Sequence, residues 1–426
     1  MARTVVASRT VAAPRTVVAP RRVVALKTVV APKTVVAFVG ENANGILEAQ
    51  SRRFLDGLVP LGYAGHVLRL SDGDFSDRLR GLLDGGIDFA WGYAGVGSRL
   101  TLDGQNLWSA TSTPFVSVLA DPPYMKPTNH HVASPFVVNG YVYREWLGLQ
   151  RHHIRSPQVS AMLPLGVIPN EDAGVPWSER PHRMVFVKTG ADPVRLRAQW
   201  AGWPARLRAV LEDSADALSR QGTGPITGRV QACLAAHGLD LLRSPALLFG
   251  VLHELDGYVR ALRATAMVRA LLPLRADIVG GGWDHVRHLP GRARFHAATD
   301  AAGLDALYAQ TQFLVNTSPN IGSGAHERVL RGFAARCCVV SDDNDFSRAR
   351  LRALPSYHGV EWHAADLGGR LAGIIEDPSD YEDRLEPASE YVRRHHDPSA
   401  FLAGLRGLAD IARVQPGLAS YALDAA

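Results

Sequence analysis

The stretch richest in chemistry is Asn316-Thr-Ser-Pro-Asn-Ile-Gly-Ser-Gly-Ala-His-Glu-Arg328, set between an apolar strand-like run and a helical one. Gly322 and Gly324 let the backbone approach a ligand closely. The free N–H groups of a helix expected to open at Ala325 form an anion site, aided by the helix dipole. Arg328 adds a permanent charge one turn in, so these residue types suit a phosphate. The plainer reading of the same segment is a Ser/Gly-rich helix cap. A second cationic point is Lys188 in Lys188-Thr-Gly190, which follows the apolar run RMVFV and can reach phosphates from the other side. Lysine is scarce here, with four in 426 residues.

Candidate bases lie elsewhere. Asp121-Pro-Pro-Tyr-Met-Lys-Pro-Thr-Asn-His-His131 leaves a buried-type strand, and transfer of a group to a hydroxyl benefits from a base within hydrogen-bond reach. His131 or His130 is the expected base, with Asp121 as the carboxylate candidate. Gly40-Glu-Asn-Ala-Asn-Gly45 is too irregular for a dinucleotide fingerprint and lacks a phosphate-loop lysine. It is assigned to the acceptor side of a cleft through Asn42 and Asn44, with Tyr93 offering a stacking face for a sugar. No metal is assigned. Asp72-Gly-Asp74 falls in a turn, His152-His153 and His395-His396 have no ligand at suitable spacing, and Asp342–Asp345 is read as a loop.

These residues need elements to hold them. Short apolar runs at 35–39, 66–70, 87–91, 115–119, 136–138 and 159–163 alternate with helical spacing, the pattern of a parallel sheet covered on both faces. The polar, turn-rich segment 170–181 reads as a linker. A second unit then begins with a strand at 183–187, continues through a long helical region at 193–272, and resumes with strands at 276–279, 293–296, 312–316 and 337–341. Closing helices are expected near 365–375 and 387–412. The fold class is therefore α/β with two Rossmann-like domains, 34–169 and 182–426. The second carries a helical insertion, and its last helices are able to pack back on the first. The carboxyl ends of the two sheets would face one interdomain cleft.

The net charge of +5 hints at a polyanionic partner, but seven of the 46 basic residues lie within residues 1–36, which contain no acid. The rest carries 39 positive against 41 negative charges, so no nucleic-acid partner is expected. Residues 4–39 repeat in sixes around TVVAP, which marks 1–33 as a basic low-complexity tail able to support self-association through its valines. Three cysteines, Cys233, Cys337 and Cys338, are too few for a disulfide framework, and no run of 18 apolar residues occurs. A cytoplasmic protein without a transmembrane segment is expected.

From Gly280 to Asp342 the chain reads GGGWD, then RARFHAATDAAGLDALYAQTQFLVN, then HERVLRGFAARCCVVSDDN. This order resembles the C-terminal half of glycosyltransferases of the GT-B fold, near the CgeB-like and group-1 families. The resemblance implies a nucleotide-sugar donor as co-substrate, no other cofactor, and an acceptor of unknown kind. It places Gly281, Gly282 and Trp283 near the nucleotide, the backbone around His296 at the base, and Ser323, Gly324 and Arg328 at the diphosphate. Glu327 would grip ribose or sugar hydroxyls, and Lys188, Asn316 and His326 complete the donor set. The sequence departs from the family where a carboxylate and a glycine are usual, since those places hold Arg331 and Arg336. A nucleotide-sugar epimerase on the same architecture and a non-catalytic partner protein are the competing readings.

Overall fold

The computed structural model describes residues 31–41, 44–154, 158–168, 175–241, 244–376 and 381–424, and Lys33–Ala426 form one compact unit. Residues 1–30 of the expected tail and 169–174 around the start of the expected linker lie outside the described residues. The first part of the body runs β1 (Lys33–Val39), α1 (Ile46–Asp56), β2 (Tyr63–Arg69), α2 (Phe75–Gly85) and β3 (Ile87–Tyr93). A small hairpin, β4 (Thr101–Leu102) with β5 (Gln105–Asn106), leads into α3 (Leu107–Ala110), β6 (Phe115–Leu119), β7 (Val137–Tyr141), α4 (Arg144–Leu149) and β8 (Ser160–Met162).

The six long strands form one parallel sheet in the order β2-β1-β3-β6-β7-β8. β1 shows why a central parallel strand reads as a continuous apolar run. Val35, Ala37 and Val39 enter one core with Phe54 and Leu55 of α1, while Val36 and Phe38 enter the other with Leu79 of α2.

The second part begins with β9 (His182–Val187) and then α5 (Pro193–Ala198), α6 (Ala205–Ser219), α7 (Thr227–Ala236) and the long α8 (Pro245–Leu271). It continues with β10 (Asp277–Val279), β11 (Arg294–His296), α9 (Ala301–Ala309), β12 (Thr311–Asn316), α10 (Glu327–Ala334), β13 (Cys338–Asp342) and β14 (Tyr357–Val360). Three helices close the chain: α11 (Leu367–Glu376), α12 (Glu382–His395) and α13 (Pro398–Asp424). The sheet is again parallel, in the order β11-β10-β9-β12-β13-β14. Counted within the domain this is 3-2-1-4-5-6, the dinucleotide-fold order, and its direction of growth reverses between β9 and β12. Two Rossmann-like sheets thus make up the body.

α8 joins the layers. Its second half, from Ala264 to Leu271, covers the second sheet. Its first half packs with Trp200 and α6 on Tyr124, Tyr143 and Trp146 of the first domain. α13 crosses to the first domain as well: Phe401, Leu402, Leu405 and Leu408 lie in the first sheet's core. β14 went unrecognised in the sequence because Tyr-His-Gly-Val is half polar and contains a glycine, which suits an edge strand and no central one. Cys337 and Cys338 are buried free thiols, and burial pushes Cys337 up to about 12. Among the described residues no helix is long and apolar enough to cross a membrane.

Candidate active site

The second domain supplies cations at its switch point. Lys188 follows β9, and its Nζ donates to Thr317 Oγ1 at 3.1 Å. Asn316 ends β12 fully buried and donates through Nδ2 to Ser341 Oγ at 2.9 Å, while its Oδ1 accepts from Arg328 Nη1 at 3.0 Å. A guanidinium only donates, so that atom is the amide oxygen, and His326 Nδ1, 3.1 Å from it, must carry a proton. His326 Nε2 is left as an acceptor. Burial, with Arg328, Lys188 and Arg260 nearby, holds this imidazole well below its ordinary pKa and therefore neutral. Burial and the same arginines push the Lys188 ammonium well below its ordinary value. Among the described residues neither Lys188 nor Arg328 pairs with a carboxylate, and both border one cavity with Asn44, Thr299 and Glu327.

Neighbouring arginines differ. Arg331, at the place where the family pattern has a carboxylate, donates to Asp305 at 2.6 Å and Glu327 at 3.2 Å and borders the same cavity. Arg336, where that pattern has glycine, takes φ 55°, the left-handed conformation that glycine adopts most easily.

The Gly-rich turn serves a structural end. Gly190 N–H donates to Gly281 O at 2.8 Å, and a Cβ on Gly282 would lie 2.2 Å from Gly190 O, so the two loops can cross only without side chains there. Trp283, expected at the nucleotide, is instead buried in the domain core and donates through Nε1 to Lys188 O at 3.1 Å. It supports the Lys188 turn from behind. His296 turns its ring to Asp277 at 2.8 Å, and its carbonyl accepts from Gly280 N–H, so the residues that follow, Ala298 and Thr299, line the cavity in its stead.

The expected anion loop is also differently employed. The carboxylate of Glu145, on α4 of the first domain, accepts from Gly322 N–H at 2.7 Å, Ser323 N–H at 3.3 Å and the Ser323 hydroxyl. Tyr143 Oη donates to Ala325 O at 3.1 Å and its ring covers Gly324. Ser323 and Gly324 therefore fasten the two domains, because a protein carboxylate already satisfies the exposed amides. From below, fully buried Arg263 binds Ser318 O at 2.8 Å, Asp342 Oδ2 at 3.4 Å and the Asn320 side-chain oxygen, which fixes residues 318–320. Asp343 and Asn344 are spent in the same way: Asp343 accepts from Tyr357 and Arg352, and Asn344 donates to the carbonyls of Ile321 and Gly324.

Across the cleft, a cavity of about 210 Å³ brings Tyr93, Asp121, Tyr143 and Trp146 of the first domain to Asp256, Arg260, His326 and Glu327 of the second. Glu327 borders both cavities and accepts from Gln50 Nε2 at 3.0 Å. Asp121 is solvent-exposed at the rim of this cavity, and partial desolvation by the surrounding protein raises its carboxyl above the ordinary value against the opposing pull of Arg260 and Lys126. No hydrogen bond or ion pair engages it among the described residues. The expected histidines are elsewhere. His130 is buried with Nδ1 2.7 Å from Tyr141 Oη, and burial alone lowers it to about 4. His131 lines a separate groove with Tyr124 and Phe249. Asn42 lies outside the described residues.

Sequence reading did not assign Gln50, Glu145 or Asp256, whose positions depend on which helices meet across the cleft. Arg260 carried a signal in its helical spacing with Arg263. Arg260 reaches the cavity while bound to Asp256 at 3.3 Å, and Arg263 points into the core. Among the described residues no group of three His, Cys, Asp or Glu is placed to hold a metal ion.

No protein-family model and no curated protein matches the chain. Among solved structures it is similar to a glycosyltransferase from Rickettsia africae, at 10% identity over 89% of this chain and 98% of that chain, with a TM-score of 0.46. It is similar also to AviGT4, a glycosyltransferase involved in avilamycin A biosynthesis, at 12% identity over 91% and 99% of the two chains with a TM-score of 0.47. The third is Anabaena HepE in complex with UDP-glucose, at 11% identity over 88% and 98% with a TM-score of 0.46.

Proposed function

We propose that this chain is a glycosyltransferase that moves a sugar from a nucleotide-sugar donor to an acceptor hydroxyl in the cleft. One observation carries the reading. Lys188 and Arg328, two cations held only by neutral partners, border one cavity at the switch point of a 3-2-1-4-5-6 sheet. Neither cation is paired with a carboxylate among the described residues, and a diphosphate supplies a partner for both. The sequence resemblance around 280–345 points the same way. In this reading the acceptor oxygen forms a bond to the anomeric carbon while the bond from that carbon to the diphosphate breaks. The departing negative charge is taken by Lys188 and Arg328, with no metal assigned. Asp121 receives the hydroxyl proton; a carboxyl raised above its ordinary value is a stronger base than an unshifted one. Glu327 and the bare Nε2 of His326 accept hydrogen bonds from sugar hydroxyls.

The test is calorimetric titration of UDP, GDP, dTDP and ADP and their glucose conjugates, followed by product analysis by NMR. The expected outcome is saturable binding of at least one diphosphate, weakened about tenfold to a hundredfold by Lys188→Ala, the range for a lost charged hydrogen bond. Asp121→Asn is expected to keep that affinity and lose about a hundredfold or more in turnover. No diphosphate binding, or binding indifferent to Lys188, would sink the reading.

A further inference from the structure

A further cavity bordered by described residues lies outside the cleft. It is a groove of about 700 Å³ with walls of Tyr124, Met125, Ile154, Trp203 and Phe249. A few polar groups stand among them, chiefly Arg99, His131 and Glu254. Neither the cation pair nor the Asp121 cavity uses this groove. Its volume and its apolar, aromatic lining are those of a small-molecule site, whereas a protein partner needs a flatter face of roughly 800 Å².

Its position says what the small molecule would be. The loop from Asp121 to His131 lines the cleft cavity with its first two residues and the groove with Tyr124, Met125, Pro127, Thr128 and His131. α8 does the same in the other order, giving Phe249 and His253 to the groove and Asp256 and Arg260 to the cleft. Tyr124 Oη donates to Asp256 Oδ1 at 3.0 Å, so the two spaces share one seam. At 1.5 Å per helical residue, Phe249 and Arg260 are about 16 Å apart along α8.

We infer that the groove holds the apolar, ring-bearing body of the acceptor, whose hydroxyl end extends along α8 into the cleft beside Asp121. This rests on the transfer reading given above. Half-buried Trp203 and exposed Met125 supply accessible surface for flat rings over a floor of buried Tyr124 and Phe249, and the insertion that carries Trp203 and Phe249 thereby acquires a role in substrate choice. A purely hydrophilic acceptor would leave these faces unused.

The probe is 2-naphthol, titrated calorimetrically into the full chain. Saturable binding is expected, weakened at least tenfold by Ala246→Trp, which fills the groove from an exposed position on α8 without touching the core. The variant is expected to keep the wild-type unfolding temperature and nucleoside-diphosphate affinity. No saturable naphthol binding, or binding undiminished in Ala246→Trp, overturns the groove whether or not diphosphates bind. Naphthol binding without binding of any diphosphate overturns the transfer reading and, with it, the groove's role as an acceptor site.

Discussion

Single residues in this protein divide by what their partners leave free. Arg263 and Asn316 are bound to buried neighbours and act as framework, whereas Lys188, Arg328, His326 Nε2 and Asp121 keep capacity toward the cleft. His130 belongs to the framework, and it predicts a pH dependence. Its folded pKa, about 4, lies below the ordinary value of about 6.5, so the unfolded chain takes up the proton first as pH falls. Stability is therefore full above about pH 6.5, declines as acid is added, and levels off below pH 4. Between pH 7 and 5 the loss from this group is about 2 kcal/mol. His326 and His396, lowered by burial, act in the same direction. Urea unfolding at the two pH values should show a smaller decrement for His130→Gln than for wild type; equal decrements would mean that His130 titrates normally.

At the scale of elements, the loop from Asn316 to Gly324 is held by the fold and owes little to its own turn chemistry. The insertion supplies Arg263, β13 supplies Asp342, and α4 supplies Glu145. Arg263 and Asp342 are both buried, and removal of one partner strands the other charge away from water. Arg263→Met should cost about 3–5 kcal/mol in urea unfolding, with diphosphate binding weakened in whatever remains folded. A cost below about 1 kcal/mol would mean that water reaches Asp342 and that the loop is held by other means. Helix order explains why this was hidden from the sequence. α8 is apolar on nearly every side, so its spacing identified a helix without telling which face met which domain.

For the whole molecule, the decisive feature is that the first domain draws helical cover from two helices of the second part of the chain. α13 follows the second sheet yet places Leu405, fully buried, in the first sheet's core, and the front of α8 packs on Tyr124 and Trp146. The two sheets are therefore expected to unfold together. Leu405→Ala should lower stability by about 2–5 kcal/mol as a single cooperative transition, followed both by far-UV dichroism and by tryptophan fluorescence. Two separated transitions, with only the first-domain probe affected, would show that the crossing helix does not couple them.

Much of this protein was legible before any tertiary contact was known. Strands such as Val35–Val39, Phe115–Leu119 and Gln312–Asn316 announce themselves because a central parallel strand is buried on both faces and is mainly apolar. Lys188 was also visible, since a cation just beyond a strand's carboxyl end is placed by local connectivity alone. The tertiary structure decided what covers what. It filled the Gly322–Ser323 amides with Glu145, turned Trp283 inward, buried His130, and left Asp121 facing the cleft. The first two of these outcomes join groups more than 90 residues apart in the chain, Glu145 with Gly322 and Trp283 with Lys188. Sequence spacing carries periodicity within an element, while the partner of a side chain is set by which elements the packed core brings to face each other.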